Sequence, residues 1–469
     1  MRLRAGTADV LSEAEVHAIH NAALRILEQT GMWIESDDIL RHLEGCGGRV
    51  DYAHQRVRYP ARVVERFLAD SDKVDWAAIH PGVSASAGVY YGLYHDPDSG
   101  ALVPWTEERL AGYFALARAL EHVGGHSMLG CPFSPVPQLE PLYEKLYCWK
   151  YGGRESGTIH LDELCPYLYD LFQLRAQQLG RPLSDVFRGT VYLVPPLKLG
   201  RHEAYQFLYF WKRGLPVHIG DMYAMGATSP VTLAGSIALN LAEHLALGIL
   251  HRAFFGGTGF RLGSSVSVID MRTMIYPYGR PEMALTNLAT AQMARHYGLP
   301  FGGHAGLSDA KLPSVEAGAQ KALTAIPTLL AGGHVHLDAG LLSIDEVCSP
   351  LQMILDNEFC GALKHLCRDF AVTDEELAVD LVDEVGPGGN FMATEHTARH
   401  FRQEHWEPEV WSRLMVSPWL RGEAKLDVDY ARDRYHDLAL DLDTAPRLSE
   451  EEEGDIRQVI ERARQELSW

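Results

Sequence analysis

Cysteine is sparse and scattered in this 469-residue chain, which argues against several kinds of metal and disulfide site. The seven cysteines form no Cys-x-x-Cys pair, so neither a zinc knuckle nor an iron–sulfur loop is indicated. Their odd number, behind a basic amino terminus without an apolar run, predicts reduced thiols in the cytoplasm. No window of about 18 uninterrupted apolar residues occurs, so we expect a protein that is neither exported nor embedded in a membrane.

Positive charge is also in short supply. Lys and Arg number 42 against 62 Asp and Glu, a net charge of −20, and no basic stripe appears. Binding a phosphate backbone needs a cationic face, so nucleic acid is not an expected partner. A dinucleotide fingerprint is missing too, because the nearest candidate, Gly256-Gly257-Thr258-Gly259, follows a helical pattern and lacks the second half of the motif.

Short β-like segments alternate with long amphipathic helices through the middle of the chain. An alternating aromatic segment, Val89 to His95, opens the series, and seven β-like segments follow: His126–Cys131, Ser156–Leu161, Gly189–Val194, Pro216–Met222, Gly257–Ser265, Leu299–Ala305 and Gly333–Ala339. Strands separated by helices indicate parallel pairing with right-handed crossovers. A closed barrel and an open doubly wound sheet both fit. The number of repeats and the missing fingerprint favour an α/β fold of the TIM (β/α)8 barrel type. The span from Gly88 to about Arg368 agrees, because it is close to the roughly 250 residues typical of such barrels.

The flanking regions are mostly helical. An amino-terminal cap over residues 1–85 begins with a capping box, Ser12 with Glu15, and precedes a barrel domain over residues 86–370. An acidic carboxy-terminal extension over residues 371–469 ends in a helix from Leu448 to Leu467, whose charges complement its dipole. We expect this helix to lie against the outside of the barrel or against a neighbouring subunit.

The stretch from Gly298 to Gly340 carries the strongest signs of chemistry. Its first strand is unusually rich in glycine around His304, so backbone must approach something closely there. Its second strand places His334, His336 and Asp338 on one face, because side chains along a strand alternate between two faces. Ionisable residues at the end of a parallel strand are typical of the open, functional end of a barrel.

Several sequence motifs resemble those of the trimethylamine methyltransferase family of corrinoid-dependent enzymes. They follow the order of the family and span nearly the whole chain: Met225 to Gly235, Asp270 to Thr273, Gly279 to Met283, His296 to Pro300, Ser308 to Lys311, Asp356 to Glu358, Gly386 to Gly389, and His396-Thr397 with His400 to Arg402.

The resemblance implies a TIM barrel that moves a methyl group from a methylated amine to the Co(I) centre of a separate corrinoid protein. No cofactor would be bound permanently, since the partner supplies the corrinoid. Founding members of the family carry pyrrolysine at a position that falls at Leu341 or an immediate neighbour. This chain has an ordinary residue there and therefore resembles the branch whose members demethylate quaternary amines such as glycine betaine. The sequence leaves open whether the chain forms a homo-oligomer.

The chemistry of that reaction selects candidate residues. A quaternary ammonium loses a neutral amine without acid help, so the site must mainly orient the cation, and aromatic rings with a few carboxylates can do so. We predict His336 and Asp338 as catalytic residues. The predicted substrate-binding residues are His304 and Asp221 with aromatic walls at Tyr91, Tyr94, Tyr223 and Phe359, and Tyr276 is a further possible wall. His304 or His336 could also hydrogen-bond a carboxylate of the substrate.

Other interpretations remain open at this stage. His334, His336 and Asp338 could hold a divalent metal with His304 or His218, as in a hydrolase or lyase. Lys311 could form a Schiff base, although its place at a helix entrance looks structural. A non-catalytic binding barrel is a third interpretation. Each tyrosine could simply pack in the core, and His336 with Asp338 could form a buried pair that only stabilises the barrel.

Overall fold

The computed structural model describes residues 8–154, 156–422 and 424–469 as a mixed α/β protein. Residues 1–7 lie outside the described part. The prediction that the chain is not exported rests partly on these residues. The α-helices are Glu13–Arg25, Asp37–Gly45, Ala61–Ala69, Glu107–Ala119, Glu140–Lys150, Cys165–Leu179, Leu183–Val186, Arg201–Trp211, Leu233–Phe255, Pro281–Tyr297, Val315–Leu330, Pro350–Leu366, Asp374–Leu377, Val379–Val385, Glu395–Glu404, Val416–Arg421, Asp427–Ala439 and Glu450–Leu467.

The strands are short, as expected where glycine and polar residues interrupt apolar runs. They are Met32–Ile34, Arg49–Asp51, Arg56–Arg58, Gly82–Val89, Leu93–His95, Leu102–Pro104, His126–Met128, Thr190–Tyr192, Lys198–Leu199, His218–Gly220, Tyr223–Met225, Leu262–Ser264, Val266–Val268, Phe301–Gly303, His334–Ala339, Leu341–Leu342 and Val347–Cys348.

Parallel pairing dominates the middle of the chain, as predicted. One sheet runs in the order Leu262–Ser264, Phe301–Gly303, His334–Ala339, Gly82–Val89 and His126–Met128, and all of its pairs are parallel. Two further parallel pairs join Thr190–Tyr192 to His218–Gly220 and Tyr223–Met225 to Val266–Val268. Hydrogen bonding thus divides the described strands into separate sheets, so the closed barrel stays a prediction.

Helix limits agree with the sequence patterns where local signals are strong. Apolar residues at helical spacing predict helices over Cys165–Leu179, Pro281–Tyr297 and Val315–Leu330, and the structure has helices with these limits. The Ser12–Glu15 capping box forms, with Ser12 N donating to the Glu15 carboxylate at 2.7 Å. Ser12 and Ser314 cap their helices through side-chain hydrogen bonds. Proline in the first turn and glycine after the last turn bound Cys165–Leu179 and Pro281–Tyr297, so neighbours in the sequence decide all of these limits.

Two strand predictions were wrong. The predicted strand Val89 to His95 is split, because Gly92 adopts a φ of +83° and separates Gly82–Val89 from Leu93–His95. The latter forms a hairpin with Leu102–Pro104. The predicted segment Ser156–Leu161 contributes one bridge, Thr158 to Thr190, before a turn of 3-10 helix begins at Asp162.

The flanking helices pack on the αβ core. The helix Glu450–Leu467 contacts Glu140–Lys150 and Cys165–Leu179, with ion pairs from Lys150 to Glu453 and from Arg175 to Glu452. The division at residues 85/86 and 370/371 stays a prediction, and the strand Gly82–Val89 crosses the first of these boundaries. One helix, Leu233–Phe255, is long and apolar enough to cross a membrane, yet 72% of its most apolar window is buried inside the protein. It therefore serves as a core helix.

Candidate active site

The predicted polar face on the strand His334–Ala339 is present. His334 and His336 are exposed and Asp338 is half-buried, whereas Val335, Leu337 and Ala339 are buried on the opposite face. Ser84 and Ser86 pair with His336 and Asp338 in the neighbouring parallel strand and therefore share this face. The period-two pattern of the sequence placed these side chains correctly.

Two serines hold the histidines of this face. Ser84 Oγ lies 2.9 Å from His334 Nε2 and 2.8 Å from His336 Nδ1, and Ser86 Oγ lies 2.8 Å from His336 Nε2. Both ring nitrogens of His336 therefore have hydroxyl partners, which fix the plane of the imidazole. His336 is positioned on the polar face beside Asp338 rather than packed in the core.

His304 lies at the end of the neighbouring strand Phe301–Gly303. Its backbone N–H donates to Ser264 O at 3.0 Å, and its carbonyl accepts from Asn287 Nδ2 at 2.9 Å. Its ring meets Tyr278 edge-on, with centroids 5.5 Å apart. Burial lowers the pKa of His304 more than the negative charge of Asp338 raises it, so the ring is neutral at pH 7.

A second carboxylate and two tyrosines, none of them predicted, join Asp338 and His304. The Tyr278 hydroxyl donates to Asp345 Oδ2 at 2.6 Å. Burial raises the pKa of Asp345 to about 6, and the charge of Asp338 contributes to the increase. Burial also raises the pKa of Tyr90 well above its usual value, and Asp338 and Asp345 add to this effect. The five groups thus form one electrostatic cluster, which we call the mouth cluster.

The mouth cluster is assembled from consecutive elements of one sheet and the loops that follow them. Tyr90 follows Gly82–Val89, His304 follows Phe301–Gly303, and Asp338 ends His334–Ala339. Asp345 lies in the next loop, where Ser343, Ile344 and Asp345 all have φ between 54° and 72°. Such a run of left-handed residues is unusual and is typical of functional loops. That conformation has no simple sequence signal, so Asp345 was missed.

A buried ion pair supports the strand end that carries Asp338. Lys321 Nζ lies 2.8 Å from Asp356 Oδ2, and both side chains are 2% exposed. Lys321 also donates to Asp338 O at 3.3 Å, and Gly340 N donates to Asp356 Oδ2 at 2.8 Å. The pair therefore ties two helices to the turn between Asp338 and the left-handed loop.

Asp221 belongs to a separate buried network. His244 Nε2 lies 2.8 Å from Asp221 Oδ2, and Gly263 N donates to His244 Nδ1 at 3.1 Å, which makes Nε2 the protonated nitrogen. Burial alone would raise the pKa of Asp221, but the His244 and Tyr223 contacts hold it below its usual value. The Tyr223 hydroxyl also donates to Glu243, and burial raises the pKa of Glu243 to about 7. Asp221 is therefore ionised, and its carboxylate oxygens are already occupied by His244 and Tyr223.

Three of the predicted aromatic walls do not reach the polar face. Tyr223 is fully buried, and Tyr94 is 5% exposed and packs edge-on against Trp105 and Tyr113. Phe359 lies on the helix Pro350–Leu366 and packs against the apolar core. These side chains contribute to core packing because their strand register or helix face points them inward. Tyr91 is 48% exposed beside the mouth cluster's Tyr90, and the Tyr276 hydroxyl donates to Ser265 O at 2.9 Å.

The alternative chemistries gain no support from the geometry. Among the residues that the structure describes, no group of three or more His, Cys, Asp or Glu could hold a metal ion, and His334, His336 and Asp338 are described. The ring nitrogens of the two histidines are instead paired with the hydroxyls of Ser84 and Ser86. Lys311 is exposed and donates to Asp309 O at 2.6 Å, as its helix-entrance position indicated. Two surface depressions of about 370 and 490 Å³, near Glu35 and Asp374, contain no residue of the mouth cluster.

Comparison with known proteins identifies the family. Residues 177–468 match the family model described as trimethylamine methyltransferase (MTTB). A trimethylamine methyltransferase of Methanosarcina acetivorans is 31% identical, over 96% of this chain and 94% of that protein. The chain belongs to the trimethylamine methyltransferase family. It is therefore an amine methyltransferase, and the resemblance found in the motifs is confirmed.

Further relatives within the family differ in their named substrates. A trimethylamine methyltransferase of Desulfitobacterium hafniense is 28% identical over 97% of this chain and 94% of that protein. A glycine betaine methyltransferase of the same species is 27% identical over 88% of each chain. The solved monomethylamine methyltransferase of Methanosarcina barkeri aligns with a TM-score of 0.42 and 13% identity over 99% of this chain and 96% of that one.

Proposed function

We propose that this family member transfers a methyl group from a quaternary or tertiary amine to the Co(I) corrinoid of a separate protein. The observation that carries the proposal is the mouth cluster, in which tyrosine rings and carboxylates meet at the carboxyl ends of parallel strands in a chain of this family. Leu341, near the position where the resemblance places pyrrolysine, is buried and 2% exposed. A quaternary ammonium donor, already positively charged, needs no such residue.

We also propose that the central strands form one closed (β/α)8 barrel, preceded by the helical cap and followed by the helical extension. Support comes from parallel pairings and bridges that lead from each central segment to the next. His218–Gly220 and Tyr223–Met225 are successive pieces of one such segment, and so are Leu262–Ser264 and Val266–Val268. The contacts, in order, are Gly82–Val89 with His126–Met128, Ser127 with Arg154, Thr158 with Thr190, Thr190–Tyr192 with His218–Gly220, Tyr223–Met225 with Val266–Val268, Leu262–Ser264 with Phe301–Gly303, Gly302 with His334, and His334–Ala339 with Gly82–Val89. The series of contacts returns to the strand where it began.

Glycines support an open interior in that barrel. A Cβ at Gly82 would lie 2.8 Å from the His334 ring, and one at Gly220 would lie 2.9 Å from the ring of Tyr192. A Cβ at Gly302 would lie 3.0 Å from the Arg261 guanidinium. Missing side chains on one strand thus make room for large polar ones on the next. Tyr192 is 48% exposed, which fits a water-accessible interior rather than a packed one.

The residues of the mouth cluster would bind and orient the cation. The face of Tyr90 attracts an onium group by cation–π contact, worth roughly 0.5–2 kcal/mol. Tyr278 is 4% exposed and instead holds Asp345 through its hydroxyl. Asp338 supplies negative charge, and His304 is neutral and adds no positive charge that would repel the cation. The leaving group is a neutral amine, so no acid has to protonate it. The chain's task is to aim the N–CH₃ bond outward, toward the partner.

The rim around the mouth cluster is apolar and exposed, which supports docking of the corrinoid protein there. Tyr91, Val194, Met222, Met271 and Met274 are 42–68% exposed and follow four different central strands. Exposed apolar groups around a polar opening are typical of protein interaction sites. The partner's Co(I) corrinoid supplies the nucleophile that accepts the methyl group. We expect this chain to bind no corrinoid of its own, to act in the cytoplasm, and to need neither nucleic acid nor membrane.

The assay that tests this function measures methyl–Co(III) formation. Purified protein, a corrinoid partner reduced to Co(I) and a panel of methylated amines are mixed, and the absorbance change of the corrinoid is followed. We expect transfer from at least one amine, and an Asp338→Asn variant should raise KM about tenfold with a smaller change in kcat, since it removes binding charge. Glu346→Gln, an exposed residue of the neighbouring loop, is the matched control. Failure of every amine to donate a methyl group contradicts the proposal.

A further inference from the structure

We infer that the methyl donor is an onium with net positive charge and no carboxylate, rather than a short zwitterionic betaine. This inference rests on the proposed function, because it takes the mouth cluster as the amine site. Family membership indicates a methylated amine, and the charges around the cluster narrow its class. The sequence resemblance alone favoured a betaine.

Two carboxylates at the mouth favour a cation. Asp338 ends its strand, and Asp345 is held by the hydrogen bond from Tyr278. The loop that carries Asp345 is anchored, since Ser343 N donates to Ala310 O at 2.9 Å. Left-handed conformations at non-glycine residues cost of order 1–3 kcal/mol each and persist only where the surroundings hold them. Asp345 is thus held beside Asp338 rather than free to turn away from it.

No positively charged group of the mouth cluster would pair with a carboxylate of a ligand. The charges that shift the pKa values of Asp345 and His304 come from Asp338 and His336. The lysines and arginine close by in the sequence are engaged elsewhere: Lys311 with Asp309 O, Lys321 with Asp356 and Arg280 with Asp270. A betaine carboxylate placed here would face two anions.

Arg261 could bind a carboxylate, but it lies too deep for a short betaine. Its guanidinium lies against Gly302, which pairs with His334, four residues before Asp338 on the same strand. At about 3.3 Å per residue, those four residues span roughly 13 Å. In glycine betaine a single methylene separates the onium nitrogen from the carboxylate carbon. Such a molecule cannot contact Asp338 and Arg261 together.

Binding to the protein alone tests the inference without the corrinoid partner. Isothermal titration calorimetry at pH 8 would compare tetramethylammonium and choline with glycine betaine and with γ-trimethylaminobutyrate, a longer zwitterion. We expect choline or tetramethylammonium to bind at least tenfold more tightly than glycine betaine. Equal or tighter binding of either zwitterion overturns the inference, and so does the absence of binding by both cations.

An isosteric variant isolates the contribution of Asp345. Asp345→Asn keeps an acceptor for the Tyr278 hydroxyl and should weaken binding of the cations about tenfold while leaving glycine betaine unchanged or tighter. Glu346→Gln removes the same charge from the adjacent exposed position and should change neither. An unchanged cation affinity in Asp345→Asn contradicts the inference. If betaines bind best but still donate methyl groups to Co(I), the inference fails while the proposed function stands.

Discussion

The hydroxyl of Tyr278 donates a 2.6 Å hydrogen bond to Oδ2 of Asp345, and so links the loop after one central strand to the loop after another. Burial raises the pKa of Asp345 to about 6, from an ordinary value of 3.8. The groups that interact with it are Tyr278, Asp338, Tyr90 and Cys348, and none of them supplies a positive charge at neutral pH. Asp345 therefore titrates within an experimentally accessible range.

This titration predicts a pH dependence of cation binding. As the pH rises from 5 to 7.5, Asp345 ionises and the affinity for tetramethylammonium should increase about tenfold, with a midpoint near pH 6. Calorimetric titration at a series of pH values measures the step. Asp345→Asn should abolish it, whereas Glu346→Gln should retain it. A flat profile in the unmodified protein would contradict the assignment.

The raised pKa of Asp345 has the opposite effect on stability, which should fall as the pH rises. The folded state binds the Asp345 proton more tightly than the unfolded state does, since its pKa is higher when folded. Its stabilising contribution is therefore fully present below pH 3.8 and is lost as the pH rises through about 6. Comparing the free energy of unfolding of Asp345→Asn and unmodified protein across this range isolates the contribution. A difference that does not change with pH would refute the shift.

Rim residues are predicted to govern docking rather than amine binding. Met271→Asp places a charge on a side chain of the proposed rim that is 65% exposed, and should raise KM for the corrinoid protein at least tenfold. The affinity for the amine, measured without the partner, should stay the same. Met392→Asp, 83% exposed in the carboxy-terminal extension, is the control. Equal effects of the two variants would contradict the prediction that the rim is the docking surface.

The Lys321–Asp356 pair is predicted to be important for stability. Asp356→Ala leaves a buried ammonium without its partner and should lower the free energy of unfolding by about 3–5 kcal/mol. Denaturant titration followed by circular dichroism measures the loss. The exposed helical pair Arg399 with Glu395 offers a control, since Glu395→Ala should cost less than about 0.5 kcal/mol. A loss below 1 kcal/mol in Asp356→Ala would mean that water reaches the pair.

Gly340, at the turn between Asp338 and the left-handed loop, should not tolerate a side chain. It has a φ of +83°, and a Cβ there would overlap the Tyr113 hydroxyl and lie 3.0 Å from Ser349 O. We expect Gly340→Ala to lower the melting temperature by several degrees, a loss of about 1–3 kcal/mol. Gly318→Ala, in a helix with open space around it, should instead stabilise by about 0.5–1 kcal/mol. A neutral Gly340→Ala would show that the turn can rearrange.

The sequence determined by itself those features that depend on neighbours along the chain. Helix limits such as Pro281–Tyr297 follow from local caps and periodicity. The shared face of His334, His336 and Asp338 follows from the alternation of a strand. The family follows from motifs whose residues and order can be read directly. None of these features depends on residues that are distant in the sequence.

Only the tertiary structure decided which groups meet at the mouth. Tyr90 rather than Tyr91 joins Asp338, because the register with the neighbouring strand, and not the aromatic run itself, sets the face. Asp345 and Tyr278 lie 67 positions apart and meet through loops whose left-handed backbone depends on contacts made elsewhere. Tyr94 and Tyr223 are buried in the core for a similar reason. Whether a side chain is buried depends on the elements that cover it, and those elements come from distant parts of the chain.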